Sequence, residues 1–179
     1  MSLVRSVGME DKLRQWLQAR FADEIVREYI FCDQQSFYIK PEALLSICQA
    51  MVADPELDVR YLADITSSDW LGQEEEMGGR FEVIYNFYSL THKYRFFFRA
   101  MLPADQPEID SLTPLFNSAN WMEREAWDLM GISFTGHPDL TRILTPDDME
   151  GHPLRKDFPL TYEVPQFSWN KDDPPEVIR

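Results

Sequence analysis

Two hydrophobic runs, Arg80–Leu90 (RFEVIYNFYSL) and Tyr94–Met101 (YRFFFRAM), decide the fold of this chain. Alternate residues in each run are aromatic or branched, which is the period of a β-strand. In the first run both alternating sets are apolar, as is typical of a strand in the middle of a sheet. The stretch Thr91–Lys93 between the runs predicts a turn. The two runs therefore predict an antiparallel pair at the centre of a sheet.

The residues before this pair predict three more strands and two helices. Helical spacing of apolar residues predicts one helix over Glu10–Phe21 and a second from Lys40 to about Asp54. Branched and aromatic residues predict a hairpin of Ile25–Phe31 and Phe37–Ile39, followed by a strand at Val59–Ile65. The order α-β-β-α-β-β-β predicts an α+β fold, in which a helix layer covers a mostly antiparallel sheet.

The segments that flank the central pair predict two loops and a further helix. Charged and glycine residues predict a loop at Glu74–Gly79, and prolines predict a linker over Pro103–Pro114. A helix is predicted over Trp121–Met130, where the following glycine ends it. Within that helix, Arg124 and Asp128 have the i,i+4 spacing that allows an ion pair.

The last 49 residues differ in composition from the rest of the chain. Residues 131–179 hold seven of the twelve prolines, so they cannot form one long helix or strand. They also hold many large apolar side chains, up to Phe167 and Trp169. An irregular segment of this kind is expected to lie extended and to bury those side chains on another protein. The predicted organisation is an α+β domain at 1–130 and an extended, proline-rich, partner-binding arm at 131–179.

Charge and hydropathy limit the classes of function. With 31 acidic and 17 basic residues, the net charge is −14, which repels nucleic acid and anionic lipid. The longest apolar runs, Tyr29–Cys32 and Ala50–Ala53, are far too short to span a membrane, and no secretory signal is visible at the start. The default location is the cytoplasm. Cys32 and Cys48 are expected to be reduced and buried.

Two Gly-His-Pro triplets, at 136–138 and 151–153, stand out as candidate sites. One interpretation is a metal site of His137 and His152 with Asp139 or Asp147. A second is a pair of turn-forming histidines whose ring nitrogens bond the local backbone or a partner. A third is a proton relay, because histidine titrates near neutral pH.

Two charged clusters have similar alternatives. The acidic residues of Glu123–Asp128 either include a catalytic carboxylate pair or form part of a capping and pairing arrangement. Arg155–Asp157 either binds a carboxylate or phosphate of a partner or is solvated surface. We find no glycine-rich phosphate loop, nucleophile elbow or zinc-protease motif in the sequence. Alone, the chain is predicted to be catalytically silent.

Several linked motifs resemble one protein family. They are Trp121–Ile132 (WMEREAWDLMGI), Phe134–Leu140 (FTGHPDL), Arg142–Leu144 (RIL) and Gly151–Leu160 (GHPLRKDFPL). Together they are similar to the 30 kDa subunit, also called the C subunit, of respiratory complex I, the proton-pumping NADH:quinone oxidoreductase. The likeness covers about residues 57–162.

The resemblance implies a non-catalytic subunit of the peripheral arm, at the cytoplasmic face of the membrane, which reaches the membrane only through the complex. FMN, iron–sulfur clusters and quinone would be bound by partner subunits, and this chain would carry no cofactor. Its main partner would be the D subunit of complex I. Further partners would be the B subunit, whose boundary with the D subunit forms the quinone site, and other peripheral-arm subunits. An alternative is the equivalent subunit of a membrane-bound hydrogenase or a ferredoxin- or F420-linked dehydrogenase.

The resemblance also implies which residues hold the arm and its partner contacts. These residues are Glu123, Arg124, Asp128, His137, Asp139, Arg142, His152, Arg155, Lys156 and Asp157. None of them is implied to transfer electrons.

Overall fold

A computed structural model describes residues 7–159 of the chain. The strands are Ile25–Phe31 (β1), Gln34–Ile39 (β2), Tyr61–Asp69 (β3), Phe81–Ser89 (β4), Tyr94–Leu102 (β5), Glu108–Asp110 (β6) and Ser133–Thr135 (β7). The helices are Val7–Phe21 (α1), Leu44–Ala53 (α2), Glu74–Met77 (α3) and Ala119–Met130 (α4), with short 3-10 turns at Ala22–Glu24 and Pro41–Ala43.

The first five strands form one sheet in the order β1-β2-β5-β4-β3. Strand β4 pairs with β3 and β5, and β1 pairs with β2, all antiparallel. Strand β2 runs parallel to β5, and the long connection that a parallel pair requires contains α2, β3, α3 and β4. The predicted α+β fold with a mostly antiparallel sheet is confirmed, and the sheet is mixed through this one pairing.

The core lies on one face of the sheet, under α1, α2 and α4. Aromatic side chains dominate it: Phe87 stacks on Phe96 with ring centroids 5.5 Å apart and also contacts Phe98 and Phe116. Each such fully buried ring contributes about 2–3 kcal/mol relative to an exposed one. The alternating pattern in Arg80–Met101 therefore provides most of the hydrophobic surface on which the helices pack.

Several predicted boundaries shift. Strand β3 continues to Asp69, because Ser67 and Ser68 pair with β4 although their side chains carry no hydrophobic signal. The stretch Glu74–Gly79, predicted as a loop, contains the single helical turn α3, and that part of the prediction is wrong. The second strand of the hairpin begins at Gln34 rather than at Phe37, so the hairpin turn falls at Cys32–Asp33.

The hairpin turn also explains the exposure of one cysteine. Cys32 and Asp33 have positive φ angles of 48° and 67°, the geometry of a two-residue type I′ turn. This turn projects from the sheet, so Cys32 is exposed, whereas Cys48 is fully buried in α2. The prediction of two buried cysteines holds only for Cys48.

The predicted linker Pro103–Pro114 contains strand β6, which pairs in parallel with β7. This pairing places Ile132 and Phe134 in the hydrophobic core. The first residues of the predicted arm thus belong to the core of the domain. The role of 131–179 in partner binding stays a prediction, and residues 160–179, with Phe167 and Trp169, lie outside the described residues. Among residues 7–159, no helix is long and apolar enough to cross a membrane.

Candidate functional site

The buried carboxylate of Asp128, in the last turn of α4, organises the segment that follows the core. Its Oδ2 accepts the backbone N–H groups of Ile143, Leu144 and Thr145 at 2.9–3.0 Å, and the Thr145 hydroxyl donates to Oδ1. Arg142 Nη1 donates to Oδ1 at 2.7 Å. Burial raises the pKa of this carboxyl, but the hydrogen bonds outweigh burial and hold the pKa well below its usual range.

Arg142 and Arg124 tie the same segment together through backbone carbonyls. Arg142 Nη2 donates to the carbonyl of Met149 at 2.7 Å. Arg124 donates to the carbonyls of Thr141 and Arg142, both at 3.1 Å. The predicted Arg124–Asp128 pair is wrong, because the oxygens of Asp128 are occupied by Arg142 and three backbone N–H groups.

The end of α4 holds a second attachment point. His152 Nδ1 donates to the carbonyl of Asp128 at 2.9 Å, and Arg155 Nε donates to the carbonyl of Met130 at 2.7 Å. Burial lowers the pKa of both side chains. Gly131 ends the helix with a φ of 73°, and a Cβ there would lie 2.5 Å from the His152 ring. The helix end is therefore shaped for close approach of these two side chains.

A third attachment point joins the segment to the sheet. Arg80 forms a two-pronged pair with Asp69, with both N–O distances 3.0 Å, and binds Asp157 at 2.8 Å. The backbone N–H of Lys156 donates to Asp69 at 2.9 Å. Lys156 itself is exposed. We call residues 137–157 the strap, because these three attachment points fasten it to α4 and to the β3–β4 end of the sheet.

The two histidines of the repeated triplets are engaged with backbone groups. His137 Nε2 donates to the carbonyl of Asn120 at 3.2 Å, and its Nδ1 accepts the N–H of Asp139 at 3.0 Å. His152 bonds the carbonyl of Asp128. The turn-forming interpretation predicts bonds to the local backbone, and the bond from Asp139 fits it, but the two carbonyls belong to α4. In residues 7–159, no group of three or more His, Cys, Asp or Glu side chains is placed to hold a metal ion.

Glu123 and Glu125 occupy opposite environments. Glu123 is completely buried and accepts hydrogen bonds from the Ser111 hydroxyl at 2.6 Å and the Leu112 N–H at 2.7 Å. Burial raises its pKa to about 7. Glu125 is exposed to solvent. Glu123 therefore fixes the loop after β6 to α4, while Glu125 shares none of this environment.

The ten residues predicted from the family motifs thus fall in one region, on α4 and the strap. Nine of them lie in the strap or bind it from α4, and Glu123 fixes the loop after β6 to the same helix. Sequence reasoning missed Asp69, Arg80 and Thr145. No local pattern identifies them, because Asp69 meets Lys156 across 87 positions of the chain.

The strap presents large apolar side chains to solvent. Leu144 is 62% exposed and Leu154 is 57% exposed, and Trp121 on the adjacent helix is 62% exposed. The backbone N–H of Leu144 bonds Asp128, and that of Leu154 bonds the carbonyl of Leu129 at 3.0 Å. Exposed apolar groups on a fixed backbone are typical of a protein–protein interface.

Comparison with known proteins supports the resemblance. A model of the respiratory-chain NADH dehydrogenase 30 Kd subunit matches residues 37–164. The C subunit of NADH-quinone oxidoreductase from Roseiflexus sp. (strain RS-1) is 41% identical over 156 residues, which are 87% of each chain. The 30.4 kDa subunit of mitochondrial NADH-ubiquinone oxidoreductase from Neurospora crassa is 38% identical over 151 residues, 84% of this chain and 51% of that one.

Solved structures show the same fold. A trypsin-resistant fragment of Nqo5 superposes with a TM-score of 0.60 and 30% identity, over 72% of this chain and 99% of the fragment. A chain of the membrane-bound sulfane sulfur reductase, an archaeal respiratory membrane complex, gives a TM-score of 0.70 over 85% of this chain and 86% of that one. Its 19% identity supports a likeness of fold alone.

The sequence motifs, the family match over the core and strap, and the fold of Nqo5 agree with one another. The expectation of a subunit of a multi-subunit, membrane-associated NADH:quinone oxidoreductase is confirmed. The chain belongs to the family of the 30 kDa or C subunit of respiratory NADH dehydrogenase.

Proposed function

We propose that this chain is a non-catalytic structural subunit of the peripheral arm of a proton-translocating complex I. In this role it scaffolds the D and B subunits, which form the quinone site. FMN, iron–sulfur clusters and quinone belong to partner subunits. The complex holds the chain at the cytoplasmic face of the membrane. The family motifs on α4 and the strap support this proposal, because they coincide with the attachment points described above.

The observation that carries the proposal is the geometry of the strap. Three sets of charged hydrogen bonds fix an irregular segment, yet Leu144 and Leu154 stay exposed. Fixing a loop before it binds reduces the entropy lost on association. A segment that is rigid, irregular and apolar on its outer side is suited to docking on another protein of the complex.

A substitution experiment that places charge on the strap tests the scaffold role. We expect Leu144→Glu/Leu154→Glu to release most of the chain from the complex in mild detergent and to lower NADH:quinone activity in the membranes. Burying two carboxylates in an apolar interface is strongly unfavourable. Stability of the isolated chain should change by less than about 0.5 kcal/mol, because both side chains are exposed.

Leu90→Glu is the matched control for this experiment. Leu90 is 69% exposed but lies beyond the end of β4, away from the strap. This variant should assemble normally. The proposed role of the strap would be contradicted if Leu144→Glu/Leu154→Glu assembled normally. It would also be contradicted if Leu90→Glu were released from the complex to the same extent.

The alternative assignment to a hydrogenase-like or ferredoxin- or F420-linked complex differs in its partner subunits. Purification of the tagged chain from native membranes, followed by mass spectrometry and an NADH oxidation assay, separates the two. Flavin- and cluster-bearing subunits with NADH oxidation support complex I. Cluster proteins without NADH oxidation support the alternative.

A further inference from the structure

None of the helices α1, α2 and α4 packs on the face of the five-stranded sheet opposite the core. We call it the open face. It consists of the even-numbered residues of β2 and β4 and the odd-numbered residues of β5. In the edge strands it includes the even-numbered residues of β3 from Asp64 on and the odd-numbered residues of β1 from Arg27 on. None of these residues belongs to the core cluster. Helices α1, α2 and α4 all place their buried apolar side chains in that cluster on the other face.

The charge of the open face is opposite to that of the whole chain. The chain carries a net charge of −14, but the open face presents three arginines, Arg27, Arg95 and Arg99, against Asp64 and Glu82. Glu82 is already engaged, because it accepts hydrogen bonds from Arg99 and from the Trp70 indole, both at 2.9 Å.

The two outer arginines lie on aromatic rings rather than on carboxylates. The guanidinium of Arg27 is 3.9 Å from the ring centroid of Tyr38, and that of Arg95 is 5.9 Å from Tyr88. Neither forms an ion pair with any carboxylate in residues 7–159. Both side chains are exposed, so their donors are available to an incoming carboxylate.

Two buried polar atoms under this face lack a partner among the described residues. They are Arg99 Nε, a donor, and Asn86 Oδ1, an acceptor. An unpaired buried polar atom typically costs about 1–3 kcal/mol. Both atoms are fully buried, so an incoming segment contacts the exposed arginines of this face rather than these two atoms.

We propose that the open face binds an extended, acidic segment of another subunit of the same complex. The inference rests on the proposed function and assigns a partner chemistry to a second surface. Carboxylates of the incoming segment pair with Arg27 and Arg95 of this chain. Exposed aromatic rings of this chain, such as Phe31, which is 63% exposed, cover the apolar side chains that flank those carboxylates. Five strands span about 20 Å, which an extended segment of roughly six residues crosses.

The overall negative charge favours a short acidic segment over a polyanion. A nucleic acid or an anionic membrane experiences the repulsion of the whole chain over many ångströms. A segment with two or three carboxylates interacts mainly with the arginines within a Debye length of about 10 Å. Attraction to the arginines of the open face therefore outweighs the repulsion of the whole chain only for a short acidic segment.

Photo-crosslinking in the assembled complex tests the proposal. The full chain carries p-benzoylphenylalanine in place of Phe31, and irradiated complex is analysed by mass spectrometry. We expect a crosslink to a segment of another subunit that bears a net negative charge. Arg27→Glu/Arg95→Glu should lower the crosslink yield several-fold while the chain still co-purifies with the complex.

Lys12→Glu/Arg20→Glu is the charge-matched control, because both residues lie on α1 on the other side of the sheet. Its crosslink yield should be unchanged.

If Arg27→Glu/Arg95→Glu blocks assembly, Arg95→Gln is expected to lower the crosslink yield as well. The proposal is overturned if position 31 crosslinks to a neutral or basic segment, to lipid or to a second copy of this chain. It is also overturned if an assembled complex gives no crosslink, or if the control variant loses as much crosslink yield as Arg27→Glu/Arg95→Glu. A wild-type chain that never co-purifies with the complex overturns the proposed function instead.

Discussion

Two buried carboxylates on one helix show how the number of donors sets the charge state of a residue. Glu123 and Asp128 both lie on α4 and are both completely buried. Glu123 receives two hydrogen bonds, and burial raises its pKa to about 7. Asp128 receives three backbone N–H groups, a hydroxyl and Arg142, and its pKa falls despite burial. Burial alone therefore does not decide which form is stable.

At the residue scale, Glu123 makes stability depend on pH. Its pKa rises from 4.5 to about 7 on folding, so the folded state holds the proton more tightly and stability falls as the pH rises through this range. A shift of this size corresponds to roughly 3 kcal/mol. We expect Glu123→Gln to gain stability relative to wild type between pH 5 and pH 8, by up to about that amount. Urea denaturation at several pH values measures the difference.

The exposed Glu125 provides the control for this prediction. Glu125→Gln makes the same chemical change on the same helix at an exposed position, so its free energy of unfolding over the same pH range is the reference for Glu123→Gln. A difference for Glu123→Gln that stays constant from pH 5 to pH 8 would show that Glu123 titrates normally in the folded chain.

At the scale of elements, the sequence predicts what strong side-chain periodicity determines and misses what distant contacts determine. Strands β4 and β5 are predicted almost to the residue, because alternation extends over nine positions in each. Strands β6 and β7 have three residues each, too few for a periodic signal, and they form only because they pair with each other.

The same distinction applies to the candidate site. The motifs on α4 and the strap are visible in the sequence, but their pairing is not. An i,i+4 ion pair contributes about 0.2–0.5 kcal/mol, too little to hold Arg124 on Asp128 against five competing hydrogen bonds. Those hydrogen bonds come from residues 14–17 positions away, which only the folded chain brings together.

Gly131, where α4 ends, tests the contact between helix and strap. Gly131→Ala has two costs. The alanine must adopt a positive φ, and its Cβ would lie 2.5 Å from His152, so His152 and Arg155 must move. Gly78 also ends a helix with a positive φ of 83°, but a Cβ there meets nothing within 4 Å. We expect Gly131→Ala to cost about 1–3 kcal/mol more than Gly78→Ala in urea denaturation. Equal costs would show that only backbone strain matters at Gly131.

At the scale of the whole molecule, the strap and the core depend on each other through charge. The strap lacks a hydrophobic core of its own, and its backbone is fixed by acceptors and donors on α4 and at the β3–β4 end of the sheet. Conversely, the buried ionised form of Asp128 depends on donors from the strap. Removing one side of such an arrangement leaves a charge without compensation, which typically costs about 3–5 kcal/mol when the charge stays buried.

This dependence predicts a coupling between the strap and Asp128. In a chain that ends after Pro159, Asp128→Asn should cost about 2–4 kcal/mol, because the amide cannot replace a carboxylate that accepts three N–H groups and Arg142. In a chain that ends after Thr135, those donors are gone and water reaches the side chain, so the same substitution should cost less than about 1 kcal/mol. Urea denaturation of the four proteins gives the coupling energy directly. Equal costs in the two chains would mean that the strap does not stabilise the charge on Asp128, and the strap would then be held mainly by its contacts at Gly131 and Arg80.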